Sequence, residues 1–215
     1  MFSAAPSGQM TMIKAVLFAL DNTLLHDDKN TFAGAYQRLA EAHFTDEWAM
    51  PGIARLLEDI NGALAAPRDA QASNSGLAAG LLAAATGHSP QAVREAFDAF
   101  FDTRVPALRS HFQPAVGAAT AVELARERGL AVVIAANTLY PAAVVRQQLA
   151  WAGLPDASEA YALVTTSDNM HFTRPDPAYY AEIVARVGIE PDEALMVGSS
   201  LTHDIRPAAQ TRLRT

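Results

Sequence analysis

The chain of 215 residues carries its reactive side chains in four short stretches, each placed after an apolar run or ahead of a helix start. Asp21, Asn22 and Thr23 follow AVLFAL (15–20). Asn137 and Thr138 follow LAVVIAA (130–136). Arg174 lies in HFTRPDPAYY, and Ser199 and Asp204 lie in MVGSSLTHDI. An aspartate where a buried run meets a loop can serve as a general acid or base, or can cap the turn that follows it. Arginine offers a planar fork of donors matched to phosphate or carboxylate. Ala19 is the odd residue, a methyl group at a strand end where a pocket would use a polar side chain. It can form no ester intermediate, so covalent catalysis at that position is ruled out.

Composition removes other chemistries. There is no cysteine, hence no disulfide framework, thiolate zinc site or cysteine nucleophile. The six histidines (26, 43, 88, 111, 171 and 203) include no pair at the i, i+4 spacing of a helical zinc site. Only His171 and His203 fall near the four stretches, and structural or surface duty is expected of both. A formal net charge of −7 with no basic stripe argues against nucleic acid and against an anionic membrane. Half the residues are apolar and 18% are charged, as in a compact globular protein. No stretch reaches the length of a membrane span. Residues 1–11 have neither a basic flank nor an apolar core and read as a disordered leader, so a cytoplasmic location is expected.

The elements that must position these residues follow a two-part pattern. Residues 12–20 read as a strand buried on both faces of a parallel sheet. A solvated loop with His26, Asp27, Asp28 and Lys29 comes next. Helical spacing then dominates from Thr31 to His111, with helices expected over 32–43, 52–65, 76–86 and 90–102 and a loose connection over 61–75. Ser89 and Pro90 are a helix-start signal. Phe97, Phe100 and Phe101 share one face of the last of these helices, and Trp48 and Trp151 read as packing residues. From Pro114 the chain alternates helix (116–128), strand (130–136), helix (141–153), strand (161–164), helix (177–188) and strand (194–197). A short helix over 207–210 follows, and one more strand would be expected near Thr215. That alternation implies a parallel α/β sheet, with the ligand site at the carboxyl ends of its strands.

The four stretches, in this order and around a helical insertion, resemble the haloacid dehalogenase superfamily over residues 12–215. The resemblance implies a Rossmann-type α/β core (12–26 and 112–215) with an inserted helical cap (27–111). It also implies a nucleophilic Asp followed two residues later by an acid/base Asp, a Ser or Thr after the second strand, a Lys before a helix, and an acidic motif that binds magnesium with the first Asp. This chain has Ala19 at the nucleophile position and Asp21 at the acid/base position. It has Ala136 where the hydroxyl residue would stand, Arg174 for the Lys, and Ser199 for the first acidic ligand, with Asp204 retained.

Loss of the nucleophile removes on the order of a millionfold in rate, and loss of two anionic ligands leaves Asp204 and Ser199 as a weak or empty metal site. No resident cofactor is therefore expected, with residual Mg2+ as the remaining option. Asp21 is read as a turn cap in preference to a working acid. Arg174 either clamps an anion, with Asn137 and Thr138, or pairs with Asp21 or Asp204. The expected function is that of a hydrolase homologue without turnover that binds a phosphorylated or other anionic small molecule, or a protein partner. The alternative is a surviving magnesium-dependent hydrolase with a non-standard nucleophile.

Overall fold

The computed structural model describes residues 12–27, 31–66, 71–156 and 158–215. The expected leader, Asp28 and Lys29 lie outside them. Four strands form one parallel sheet: β1 (Ala15–Ala19), β4 (Ala131–Ala135), β5 (Leu163–Val164) and β6 (Ala194–Val197), in the order β5-β4-β1-β6. The central strand β1 pairs with β4 and β6, and all five of its residues are buried. Its alternate side chains enter two different layers. Val16 and Phe18 pack with α5 (Ala118–Glu127) and α6 (Ala142–Trp151), while Leu17 and Ala19 pack with α7 (Pro177–Val187) and α8 (Arg206–Gln210). Apolar cover on both faces is why the strand reads as an unbroken apolar run.

Between β2 (Leu25–His26) and β3 (Gln113–Pro114) the chain inserts α1 (Phe32–Trp48), α2 (Ile53–Ala65), α3 (Asn74–Thr86) and α4 (Pro90–Thr103). Strands β2 and β3 pair antiparallel and close the base of this insertion; two-residue strands leave no periodicity in a sequence, so no such ribbon is expected from it. Helix α1 runs five residues beyond the expected end. Ala40 and Phe44 are buried on one face, and the Phe44 ring continues it onto Trp48 at 4.6 Å. Helix α2 ends at Ala65 as expected, with Ile60 and Leu64 buried on one face; residues 67–70 of the loose connection expected over 61–75 lie outside the described residues. The expected cap at Ser89 forms, its Oγ accepting from Ala92 N–H at 3.1 Å, and α7 is capped by Asp176, whose Oδ1 accepts from Ala178 N–H at 2.8 Å. At the far edge of the sheet Arg214 makes a parallel bridge to Leu195, so pairing on β6 has begun where a further strand is expected. Among the described residues no helix is long and apolar enough to cross a membrane.

Candidate functional site

The carboxyl ends of β1, β4 and β6 bring together Ala19, Asp21, Ala136, Arg174 and Asp204. Immediately after β1 the backbone N–H groups of Leu24 and Leu25 return to the Leu20 carbonyl at 3.0 Å, with Asn22 at φ 54°. This tight turn places Asp21 at the rim of the sheet, its side chain one-third exposed. After β6, Gly198 passes so close to Asp204 that a Cβ on it would lie 2.5 Å from the aspartate Cβ. Only glycine permits that approach. The π-helical turn Leu201–Ile205 then carries Asp204 into the interior, where it is 1% exposed.

Arg174 joins the two carboxylates. One guanidinium nitrogen lies 2.7 Å from Asp21 Oδ2, the other 2.8 Å from Asp204 Oδ1. Asp204 Oδ2 accepts from Ser200 N–H at 2.9 Å, so both oxygens of the buried carboxylate are used. Burial by itself would lower the pKa of this guanidinium. The facing Asp21 and Asp204 carboxylates, with the nearby Tyr179 and Tyr180, outweigh burial and raise it. A buried charge held by two opposite charges with good hydrogen-bond geometry is the arrangement in which desolvation is repaid.

Beneath this bridge several further polar atoms are occupied, Thr23 Oγ1 being an exception among the described residues. The Ala136 carbonyl accepts from Thr165 Oγ1 at 3.0 Å and from the Tyr179 hydroxyl at 3.1 Å. The Tyr180 hydroxyl donates to the His203 carbonyl at 2.7 Å. Thr138, expected as an anion contact, is 1% exposed and its hydroxyl donates to the Phe172 carbonyl at 3.0 Å. Asn137 Oδ1 accepts from Leu139 N–H at 3.1 Å. Of the expected anion-binding set, Arg174 is thus neutralised by carboxylates, Thr138 faces inward, and Asn137 caps its own loop. Thr23 Oγ1 is buried with no partner. His171 Nδ1 pairs with Glu182 Oε1 at 2.7 Å, and His203 bonds to the hydroxyls of Ser200 and Thr202, so both histidines have the structural duty expected of them.

Magnesium needs an octahedron of oxygen donors at about 2.0–2.1 Å. Here the two carboxylates already face a guanidinium, Ala19 presents a fully buried methyl group, and Ser199 is exposed to solvent outside the bridge. Among the described residues no three His, Cys, Asp or Glu side chains gather to hold a metal. The donor set does not fit a resident magnesium ion: Asp204 is taken up by Arg174 and the Ser200 N–H, and Ser199 lies exposed. Tyr179 escaped the sequence reading; Thr165 and Gly198 were expected at the strand ends, but not in these supporting roles. For its role Gly198 alone carried a signal, as the glycine directly after an apolar strand.

Residues 13–211 match the family model for haloacid dehalogenase-like hydrolases. The chain belongs to that family. It is 32% identical over 128 residues to a phosphoserine phosphatase of Thermus thermophilus, covering 60% of this chain and 47% of that one. The match therefore spans about half the length of that relative. Among solved structures it resembles a 2-haloacid dehalogenase of Pseudomonas syringae (TM-score 0.59, 21% identity, 94% of this chain and 85% of that one). It also resembles a phosphatase of the family from Thermococcus onnurineus (TM-score 0.52, 24% identity, 94% and 84%). At these identities the likeness to this haloacid dehalogenase-like hydrolase is one of fold.

Proposed function

We propose that this family member binds without hydrolysing, and that its strand-end cluster acts as a structural pin. The observation that carries the reading is the Arg174 guanidinium lodged between Asp21 and Asp204, in a chain with alanine at position 19. An enzyme of this kind would need a nucleophile at Ala19 and a cation between the carboxylates. The chain offers no nucleophile and supplies the positive charge from its own side chain. Asp21 bonds to Arg174, so this carboxylate is already engaged within the protein. The bound species is an uncharged small molecule or a protein surface in preference to an anion, because the arginine that would have clamped the anion is already paired.

The rival reading is a magnesium-dependent phosphatase with a non-standard nucleophile. It is favoured by the phosphoserine phosphatase relative and by retention of both Asp21 and Asp204. A panel of phosphate monoesters, assayed with and without magnesium, separates the two. No release of phosphate above the metal-only background is expected. Metal-dependent turnover that disappears in Asp21→Asn would defeat the binding reading.

A further inference from the structure

A cavity of about 330 Å3 lies among α1, α2, α3, α4 and the loop that joins β4 to α6. None of Ala19, Asp21, Arg174 or Asp204 lines it. Its volume is at the lower end of the range of small-molecule sites. The wall is built from Ile60, Leu64, Leu82, Phe97 and Phe101, all apolar, with Ala79 on the α3 side.

Neutral polar side chains interrupt that wall: Gln37, Asn61, Asn74, Ser75 and Ser167, and two tyrosines. Tyr36 from α1 and Tyr140 from the core loop both line the cavity, with their rings edge to face at 5.7 Å. Neither hydroxyl has a hydrogen-bond partner among the described residues, whereas the hydroxyls of Tyr161, Tyr179 and Tyr180 each have one. Both tyrosines are half-buried and their hydroxyls are not sealed inside the protein, so each can donate to an acceptor on a molecule that enters the cavity. Burial raises the pKa of both phenols far above the ordinary tyrosine value, and both are protonated donors at neutral pH.

The rim carries charge of one predominant sign. Glu58, Asp98 and Asp168 stand there against Arg94. Glu58 is met by Gln37 and Arg55, and Asp168 by the N–H of Ala142. The pKa of Asp98 is raised by partial burial and by Asp102 and Asp168, against the lowering effect of Arg94. An anion entering past these carboxylates meets like charge and then an apolar interior with no cation, which is a costly place for it.

We infer that this cavity is a binding site for a small amphipathic molecule with an apolar body and one uncharged, hydrogen-bond-accepting head, which the Tyr36 and Tyr140 hydroxyls hold. The site selects against phosphate esters and carboxylates of the same body. The inference is independent of whether the strand-end cluster turns over phosphate esters, since no residue is shared.

The test uses three probes with one aliphatic body: 1-octanol, octanoate and octyl phosphate, titrated calorimetrically into the full chain. 1-Octanol should bind, with both anions at least about tenfold weaker. The double variant Tyr36→Phe, Tyr140→Phe keeps both rings and should weaken 1-octanol by about tenfold, the loss of one or two neutral hydrogen bonds. Ala79→Trp fills the cavity and should abolish binding. Should that variant fail to fold, the tyrosine pair decides, its fold checked by thermal unfolding. Equal or tighter binding of octanoate or octyl phosphate, or 1-octanol affinity unchanged in the double tyrosine variant, would overturn the proposal.

Discussion

The strand-end cluster and the cavity under the helices lie in the same chain, yet they treat polar groups in opposite ways. At the strand ends both Asp204 oxygens, the guanidinium of Arg174, the Ala136 carbonyl and the Tyr179 and Tyr180 hydroxyls are all partnered within the protein. In the cavity two phenols stand without partners. A polar network satisfied from within leaves little to offer a ligand, whereas an unsatisfied one gains from its arrival. Asp21 and Asp204, the retained motif carboxylates, are both engaged by Arg174.

The sharpest way to break the contrast is at Arg174. Arg174→Met leaves the Asp204 carboxylate buried and unpaired, and should destabilise the protein by about 3–5 kcal/mol in denaturant unfolding, with Arg174→Lys recovering part of the loss. Asp21 is one-third exposed, so Asp21→Asn should cost much less than Asp204→Asn. Next comes Gly198→Ala, which forces a methyl group against Asp204. A loss of about 1–3 kcal/mol is expected, with the ion pair displaced. Tyr36→Phe, on the cavity side, should be neutral or slightly stabilising, because it removes a hydroxyl with no partner; a loss above about 1 kcal/mol would mean that the hydroxyl is already used.

A third test is alkaline titration. All five tyrosines (36, 140, 161, 179 and 180) have raised pKa values, burial being the first cause in each, with Tyr161 and Tyr179 pushed up to about 12. A tyrosine with a raised folded pKa contributes stability that is complete below its unfolded pKa of about 10 and is lost as pH rises through the folded value. Absorbance at the phenolate band should therefore stay flat through pH 10 and rise only as the protein unfolds at higher pH. Early ionisation of one or two residues would place a tyrosine in open solvent.

The smallest effect concerns Glu182. Its burial would raise the pKa, but hydrogen bonds from His171 and Arg186 outweigh this and hold it below the usual carboxylate range. Stability from this group is present above the unfolded glutamate pKa and fades as pH falls through the lower folded value. Glu182→Gln should flatten the acid limb slightly, by an amount limited by the exposure of the pair, and should leave neutral stability nearly unchanged.

Much of this was legible in the sequence. The strand and helix order followed from unbroken apolar runs alternating with helical periodicity, and the substitutions at Ala19, Arg174 and Ser199 were visible as departures from a pattern. The Arg174 bridge was one of two readings open to the sequence, since a guanidinium suits a carboxylate as well as an anionic ligand. What could not be read was set by distance along the chain. Tyr36 and Tyr140 are over a hundred residues apart and look like ordinary aromatic positions until the insertion folds over the core loop. The end of α1 also depended on burial that only tertiary packing creates.

Calorimetric titration of magnesium into the full-length chain at neutral pH tests the central claim most directly, because the claim is that Arg174 already supplies the cation between Asp21 and Asp204. The account predicts no saturable heat at millimolar magnesium in the unaltered protein. Stoichiometric binding that is lost in Asp204→Asn would contradict it.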